Sequence, residues 1–125
     1  MWAEALELLQ DAERLQRQFF QIGAVRGAPC WEPPVDLYEN GNELRLLVAL
    51  PGVTPPQVEV LFAPSLIVVR GERSLPANSR GAAIHRLEIP YGRFERRVAL
   101  PAGAFELIDQ RLELGCLVLG LRRTG

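Results

Sequence analysis

The chain has 125 residues, a hydrophobic content of 48% and a formal net charge of −1 at pH 7. This length suits one domain with a single core, and the hydrophobic content excludes wholesale disorder. A near-zero charge lacks the positive field of nucleic-acid-binding proteins, so neither nucleic acid nor a membrane is expected as a partner. Acidic residues near the start argue against a secretory signal and a spanning helix, and two distant cysteines suit a reducing compartment, which predicts a cytoplasmic location.

The first thirty residues have a helical pattern that leads into a linker. Apolar residues recur at steps of three and four from Leu8 to Ile22, which predicts one apolar stripe on a short amphipathic helix. Residues 23–34 contain two glycines and three prolines, and these residues predict a linker. We therefore expect an N-terminal arm at 1–30 and a folded domain at 31–125.

The apolar period changes to two after the linker, which predicts strands. Asn40-Gly41 lies between alternating segments and predicts a β-hairpin with a type I′ turn. Further strands are expected at Val58 to Phe62, from Leu66 to a stop at Gly71, and from Phe94 to Leu100, with two more around Gly115. Residues 84–89 predict a short strand that lies at an edge or pairs with another chain. Together these short strands predict an all-β sandwich.

Residues suited to catalysis are scarce. His85 is the single histidine, so a catalytic triad or a zinc site has little support. Cys116 lies in an apolar alternation and is expected to be a buried structural thiol, while Cys30 lies in the linker. We therefore expect no catalytic residue, no cofactor and no metal, and no enzyme activity. A hydrolase or redox enzyme ranks last among the functions considered.

Four segments resemble the α-crystallin domain of the small heat-shock proteins, in the bacterial and plant form. They are "WEPPVDLYENGNELRLLVALPGV", "LIVVRGER", "LEIPYGRFERRVALP" and "ELGCLVLGL", in this order, within residues 31–121. The most specific features are the Leu-Pro-Gly-Val at residues 50–53 and the later Gly-x-Phe-x-Arg at 92–96, which is followed by Leu100-Pro101.

The resemblance implies an immunoglobulin-like β-sandwich and an ATP-independent chaperone that holds partly unfolded client proteins. The alternative is a non-enzymatic co-chaperone or adaptor that binds a folded partner or assembles with another small heat-shock protein. In the family a strand in the loop at 74–89 exchanges between the subunits of a homodimer. The implied interface residues are Ile84, Arg86, Glu88, Tyr91 and Arg96. Arg96 is expected to form an ion pair there with Glu88, unless it lies on a solvated strand face.

Two apolar surfaces are candidates for client binding. The first is the N-terminal stripe, which consists of Trp2, Leu8, Leu15, Phe19 and Phe20. This stripe can instead be a seam that stays buried against the domain or a partner. The second is a groove that the family forms between two strands, here with Val58, Val60, Phe62, Ile108 and Leu112. The first three of these residues can instead belong to the core. The family's Ile-x-Ile-type tail is not found after Leu121, and Gln110 and Arg122-Arg123 depart from the family pattern. We therefore expect a dimer, a small oligomer or a mixed assembly.

Overall fold

The structure is a computed structural model that describes residues 30–125. Seven strands lie in this range: β1 (Val35–Asn40), β2 (Glu43–Ala49), β3 (Val58–Ala63), β4 (Leu66–Arg73), β5 (Gly92–Ala99), β6 (Phe105–Glu113) and β7 (Cys116–Arg123). They form a four-stranded sheet in the order β1-β2-β7-β6 and a three-stranded sheet in the order β3-β4-β5. These two antiparallel sheets confirm the predicted all-β sandwich. The predicted N-terminal helix falls on residues 1–29, outside the described residues.

The described chain forms two compact units. One comprises residues 32–71 and 95–125, and the other comprises residues 72–94 with Cys30 and Trp31. In the first unit, the interior is built by alternate residues of neighbouring strands. Alternate residues of β2 form its interior face, because Leu44, Leu46 and Val48 are at most 1% exposed. Other buried apolar residues of this unit are Leu50, Val53, Ile67, Val68, Val69, Val98, Leu100, Phe105, Leu117, Val118, Leu119 and Leu121.

In the second unit, Trp31 packs against Phe94, with ring centroids 5.5 Å apart. The indole Nε1 donates to the carbonyl oxygen of Gly92 at 3.2 Å, and the backbone N–H of Trp31 donates to Arg93 O at 3.0 Å. Trp31 is 6% exposed, so the last residues of the predicted linker belong to the fold. An indole that is buried and hydrogen-bonded fixes the chain more firmly than the local proline content predicts.

The first hairpin forms where the sequence predicts it, but its turn is shifted by one residue. Asn40 pairs with Glu43, so the two central residues are Gly41 and Asn42. Gly41 has φ +64°, whereas Asn42 is absent from the described non-glycine residues with positive φ. Positive φ at the first central residue alone is the type II′ pattern, so the predicted type I′ turn is wrong.

A type I′ turn instead joins β6 to β7. Glu113 pairs with Cys116, and the two residues between them, Leu114 and Gly115, have φ of 54° and 79°. Leu114 is 95% exposed, so its side chain gains almost nothing from packing. A leucine in this left-handed conformation is strained by about 1–2 kcal/mol.

Leu114→Asn is expected to stabilise the protein by about 0.5–1 kcal/mol, because asparagine accepts left-handed backbone angles more readily than leucine. Urea unfolding monitored by tryptophan fluorescence measures the change. Leu114→Ala is the control, since alanine keeps the Cβ strain, and it should leave the free energy of unfolding nearly unchanged. A stabilisation by alanine equal to that by asparagine would show that exposed apolar area, and not backbone strain, is the cause.

Two other strand boundaries differ from the prediction. β4 continues past Gly71 to Arg73, and Gly71 itself pairs with Val58, the first residue of β3. The predicted strand at 84–89 is absent from the single chain, where these residues have no regular structure. A strand needs a neighbour to accept its hydrogen bonds, and local alternation does not reveal where that neighbour lies.

Candidate functional site

The first candidate surface is the edge strand β3. Val60 pairs with Val69 and Phe62 pairs with Ile67, and both partners are fully buried. Because paired residues share a sheet face, the side of β3 that carries Val58, Val60 and Phe62 faces the sandwich interior. None of the three is buried, however, and Phe62 is 39% exposed. They form a half-open apolar strip, which places them at the rim of the core.

The second edge strand, β6, carries the other two predicted groove residues. Leu112 pairs with Leu117, which is 1% exposed, so half-buried Leu112 lies on the interior side. The register shifts between Leu107 and Asp109, which leaves Ile108 as the extra residue of a β-bulge. Ile108 is 39% exposed, and its Cγ1 lies 3.8 Å from the position a Cβ would take at Gly120. Local alternation alone could not reveal this bulge.

These two edges belong to the same side of the sandwich. Arg96 on β5 donates from Nη1 to the carbonyl oxygen of Pro33 at 3.3 Å, which places β5 beside the start of β1. The opposite edges of the two sheets, β3 and β6, therefore face the other side. We use the name β3/β6 groove for the apolar residues on these two edges, Val58, Val60 and Phe62 on β3 and Ile108 and Leu112 on β6.

Leu61 is an exposed apolar residue on β3 that lies outside the predicted groove. It pairs with Val68 and lies on the outer face of the sheet, next to the pair in which Arg70 Nε donates to Glu59 Oε1 at 3.0 Å. Its exposure of 38% nearly equals that of Phe62. The two neighbours thus present similar apolar area to opposite faces of one edge strand.

The loop at 74–91 carries the predicted dimer residues. It contains one turn of 3₁₀ helix, Ala77–Ser79, and its end is held where Arg73 Nη1 donates to Pro90 O at 3.1 Å. Burial lowers the pKa of the Arg73 guanidinium. Ile84 and Ile89 are 55% and 50% exposed. The loop therefore presents two large apolar side chains to solvent in the single chain.

The remaining predicted interface residues have separate positions in the single chain. Arg86 Nη1 donates to Glu88 Oε2 at 2.8 Å, and both side chains are more than half exposed. Tyr91 and Arg96 are half-buried, and Arg96 makes the contact with Pro33 described above. The N-terminal candidates Trp2, Leu8, Leu15, Phe19 and Phe20 lie outside the described residues.

The residues suited to chemistry do not converge. His85 and Cys30 are exposed, and Cys116 is half-buried on β7, so the prediction of a buried thiol there is wrong. Its paired residue, Glu113, lies on an edge strand that gives little cover. Within residues 30–125, no three histidine, cysteine or acidic side chains form a group suited to a metal ion. The same range contains no helix with the length and apolar character needed to cross a membrane.

Comparison with known proteins assigns the fold to a family. Residues 36–124 match the model of the Hsp20/alpha crystallin family. The chain belongs to this family. Small heat shock protein C4 of Rickettsia felis is 30% identical over 59% of this chain and 45% of that protein, and the 22.0 kDa heat shock protein of Arabidopsis thaliana is 29% identical over 71% and 47%. The chain thus spans about half the length of these curated relatives.

Solved structures agree with this assignment. HspA from Xanthomonas axonopodis has a TM-score of 0.64 and 31% identity, with coverage of 74% of this chain and 94% of that one. A small heat-shock protein from Xylella fastidiosa has a TM-score of 0.64 and 30% identity, with coverage of 76% and 88%. The family signature at residues 92–96 lies on β5, where it supplies buried Phe94 and half-buried Arg96.

Proposed function

We propose that the chain is an ATP-independent chaperone that binds partly unfolded proteins and prevents their aggregation. The observation that carries this proposal is the β3/β6 groove, where apolar side chains on two edge strands stay half exposed. Aggregating clients expose apolar side chains and unpaired strand edges, and the groove is complementary to both. Each large side chain that it covers removes roughly 1.5–3 kcal/mol of unfavourable hydration.

The β3 strand is suited to accept an extended segment. Within residues 30–125 no strand pairs with its outer edge, which therefore offers backbone hydrogen bonds that any client sequence can form. Its interior side offers Val58, Val60 and Phe62 at alternate positions. A surface that binds clients through apolar contacts, without pockets for charged groups, discriminates little between client sequences. A chaperone that holds many different clients requires this low selectivity. The N-terminal stripe of Trp2, Leu8, Leu15, Phe19 and Phe20 is proposed as a second client or oligomer surface.

We further propose that the working unit is a homodimer formed by exchange of the 74–89 loop. Two features support it. The outer edge of β1 has no neighbouring strand within residues 30–125, and the backbone N–H groups of 83–89 have no hydrogen-bond acceptor in the same range. The unpaired backbone groups of β1 in one copy can form hydrogen bonds with those of residues 83–89 in the other copy. In this dimer Glu88 exchanges its Arg86 partner for Arg96 of the other copy.

Family membership supports a cytosolic location and assembly beyond the dimer. The solved protein of Xylella fastidiosa has a distinct high order structure. For this chain we propose assembly of dimers into a small oligomer, or joint assembly with another small heat-shock protein. The groove provides the apolar surface that either kind of assembly needs.

The test of the chaperone proposal is light scattering from a heat-aggregating model protein without ATP. The full chain is expected to suppress scattering at a near-equimolar ratio, and Phe62→Ser is expected to require several times more protein for the same effect. Leu61→Ser is the matched control, since it removes similar exposed area from the opposite face of β3.

Equal loss of suppression in both variants would place the client away from the groove. No suppression by the wild-type chain would reject the chaperone activity of this chain alone. Binding to a folded partner would then favour the adaptor function.

A further inference from the structure

We propose that the turn between β6 and β7 joins two copies of the chain, with Leu114 of each copy packed against Val58 and Leu112 of the other. This inference rests on the proposed small oligomer and names the contact that holds its dimers together. Leu114 has a left-handed backbone at φ 54° and a side chain that is 95% exposed. Both properties cost free energy in the single chain, and a strained, exposed apolar residue is suited to a contact with another molecule.

The turn holds the leucine side chain as a projection with little freedom to move. Glu113 pairs with Cys116, so only two residues separate the strands. The backbone N–H of Leu50 donates to Gly115 O at 3.0 Å, which ties the turn to the end of β2. A tight turn that is anchored in this way loses little conformational entropy when a partner binds. The Leu114 side chain is therefore preorganised for a contact.

One apolar residue of the β3/β6 groove lies close to the turn on the same strand. Leu112 comes two residues before Leu114 and pairs with the buried Leu117, so its half-buried side chain lies on the interior side of β6. Leu114 does not cover it, since the Leu114 side chain is almost fully exposed. The groove therefore has an uncovered apolar residue next to the projection.

β3 begins at the same end of this unit. The loop after its last residue is tied to the end of β5, because Ser65 O accepts from Leu100 N–H at 3.0 Å. The next loop carries Ala102, whose carbonyl oxygen accepts at 2.8 Å from Nη1 of Arg123 at the end of β7. The ends of β3 and β7 are therefore neighbours, and Val58 at the start of β3 lies toward the turn.

A projection that lies beside an apolar surface of its own chain favours a contact with twofold symmetry. When two copies meet turn to turn around such an axis, Leu114 of each copy reaches Val58 and Leu112 of the other. Every contact is then made twice, and neither of the two leucines stays exposed. A single leucine buries too little area to hold a stable assembly, but the reciprocal contact doubles that area and adds to the existing dimer contact.

The charges beside the two surfaces are complementary, which fits a second copy as the occupant. Near the turn, Arg111 is shared by two carboxylates, Asp109 and Glu113, so this side has an acidic excess. At the start of β3, Arg70 donates from Nε to Glu59 Oε1 at 3.0 Å, and its Nη nitrogens have no acceptor within residues 30–125. A guanidinium has five N–H donors and can bind a second carboxylate. Glu113 of one copy can therefore pair with Arg70 of the other.

Leu114→Asn in the full chain tests the contact, because fold stability and assembly respond in opposite directions. The substitution relieves the backbone strain and stabilises the fold, while the dissociation constant of the oligomer is expected to rise about tenfold. Sedimentation equilibrium measures this constant. Weaker assembly of a more stable protein cannot result from partial unfolding.

Leu114→Met is the matched control. It keeps the backbone strain and an apolar side chain of similar volume, so the dissociation constant should stay within about threefold of the wild type. Equal constants for the wild type and Leu114→Asn overturn the contact, as does an equal weakening by asparagine and methionine.

Cross-linking between two distinguishable copies identifies the residues that meet. In a background with Cys30→Ser and Cys116→Ala, a tagged chain with Leu114→Cys is mixed with an untagged chain with Val58→Cys, and a short bis-maleimide is added. Mass spectrometry is expected to find a product with one copy of each chain. Glu106→Cys in the untagged chain is the control, since Glu106 lies at the opposite end of β6. An equal yield with the control overturns the contact.

Failure of this contact can be distinguished from failure of the chaperone function. A wild-type chain that does not assemble beyond the dimer at any concentration overturns the contact at Leu114. The light-scattering comparison of Phe62→Ser with Leu61→Ser does not depend on the turn, so it decides the chaperone proposal separately. Retained suppression of aggregation together with unchanged assembly of Leu114→Asn would overturn the contact alone.

Discussion

Phe94→Ala is expected to destabilise the protein by about 3–5 kcal/mol, the largest effect of any single substitution considered. Phe94 is 1% exposed, and its ring packs against Trp31 at a centroid distance of 5.5 Å. Removal of a fully buried ring loses its transfer free energy and leaves a cavity that a close-packed interior fills poorly. A domain of this size has a total stability of about 5–15 kcal/mol, so the variant should lie close to unfolding.

Phe62→Ala is the matched control for this prediction. The same atoms are removed, but Phe62 is 39% exposed on an edge strand, and the expected loss is about 1–2 kcal/mol. Urea unfolding monitored by circular dichroism compares the two variants with the wild type. Equal losses would mean that the family signature does not depend on the burial of its phenylalanine, contrary to the packing described.

The interior faces of the strands could be predicted from the sequence because alternation is a local property. Leu44, Leu46 and Val48 had to share one side of β2, and the structure buries all three. The turn type could not be predicted as safely, since Asn40 is either a turn residue or the last strand residue according to the pairing register. That register depends on the interior fit of whole strands and not on the turn dipeptide alone.

The candidate sites depended on sheet order, which no local pattern contains. β3 and β6 read as ordinary alternating strands, and only their positions at the edges of the two sheets leave their apolar residues half exposed. β1 likewise has six residues of unremarkable polarity. Within residues 30–125 no strand pairs with its outer edge, so β1 is a candidate interface strand. The family resemblance supplied the expectation of a groove, and the bulge at Ile108 had no sequence signal.

Gly103→Ala is the second prediction with a large effect, an expected destabilisation of about 2–4 kcal/mol. Gly103 has φ +126°, which a residue with a Cβ adopts only with strain of about 1–3 kcal/mol. The added Cβ would also clash with Arg123 Nη1. This guanidinium cannot withdraw freely, because it donates to Ala102 O at 2.8 Å and lies 4.6 Å from the centroid of the Phe105 ring.

The Arg123 contacts hold together the end of β7 and the first hairpin. Nη2 donates to Glu39 Oε2 at 2.5 Å, and the backbone N–H of Arg123 donates to Asn42 O at 2.7 Å. If the Arg123 side chain is displaced by a new Cβ, the ion pair with Glu39 and the cation–π contact are lost with it, at about 1 kcal/mol in total. The backbone bond to Asn42 is retained.

A double-mutant cycle separates the clash from the backbone strain. In an Arg123→Ala background no guanidinium meets the new methyl group, so Gly103→Ala should cost about 1 kcal/mol less than it does in the wild type. The remaining cost reports the φ strain alone. Thermal and urea unfolding of the four proteins measure the coupling. Strict additivity would contradict the clash and leave the left-handed backbone of Gly103 as the whole reason for a glycine there.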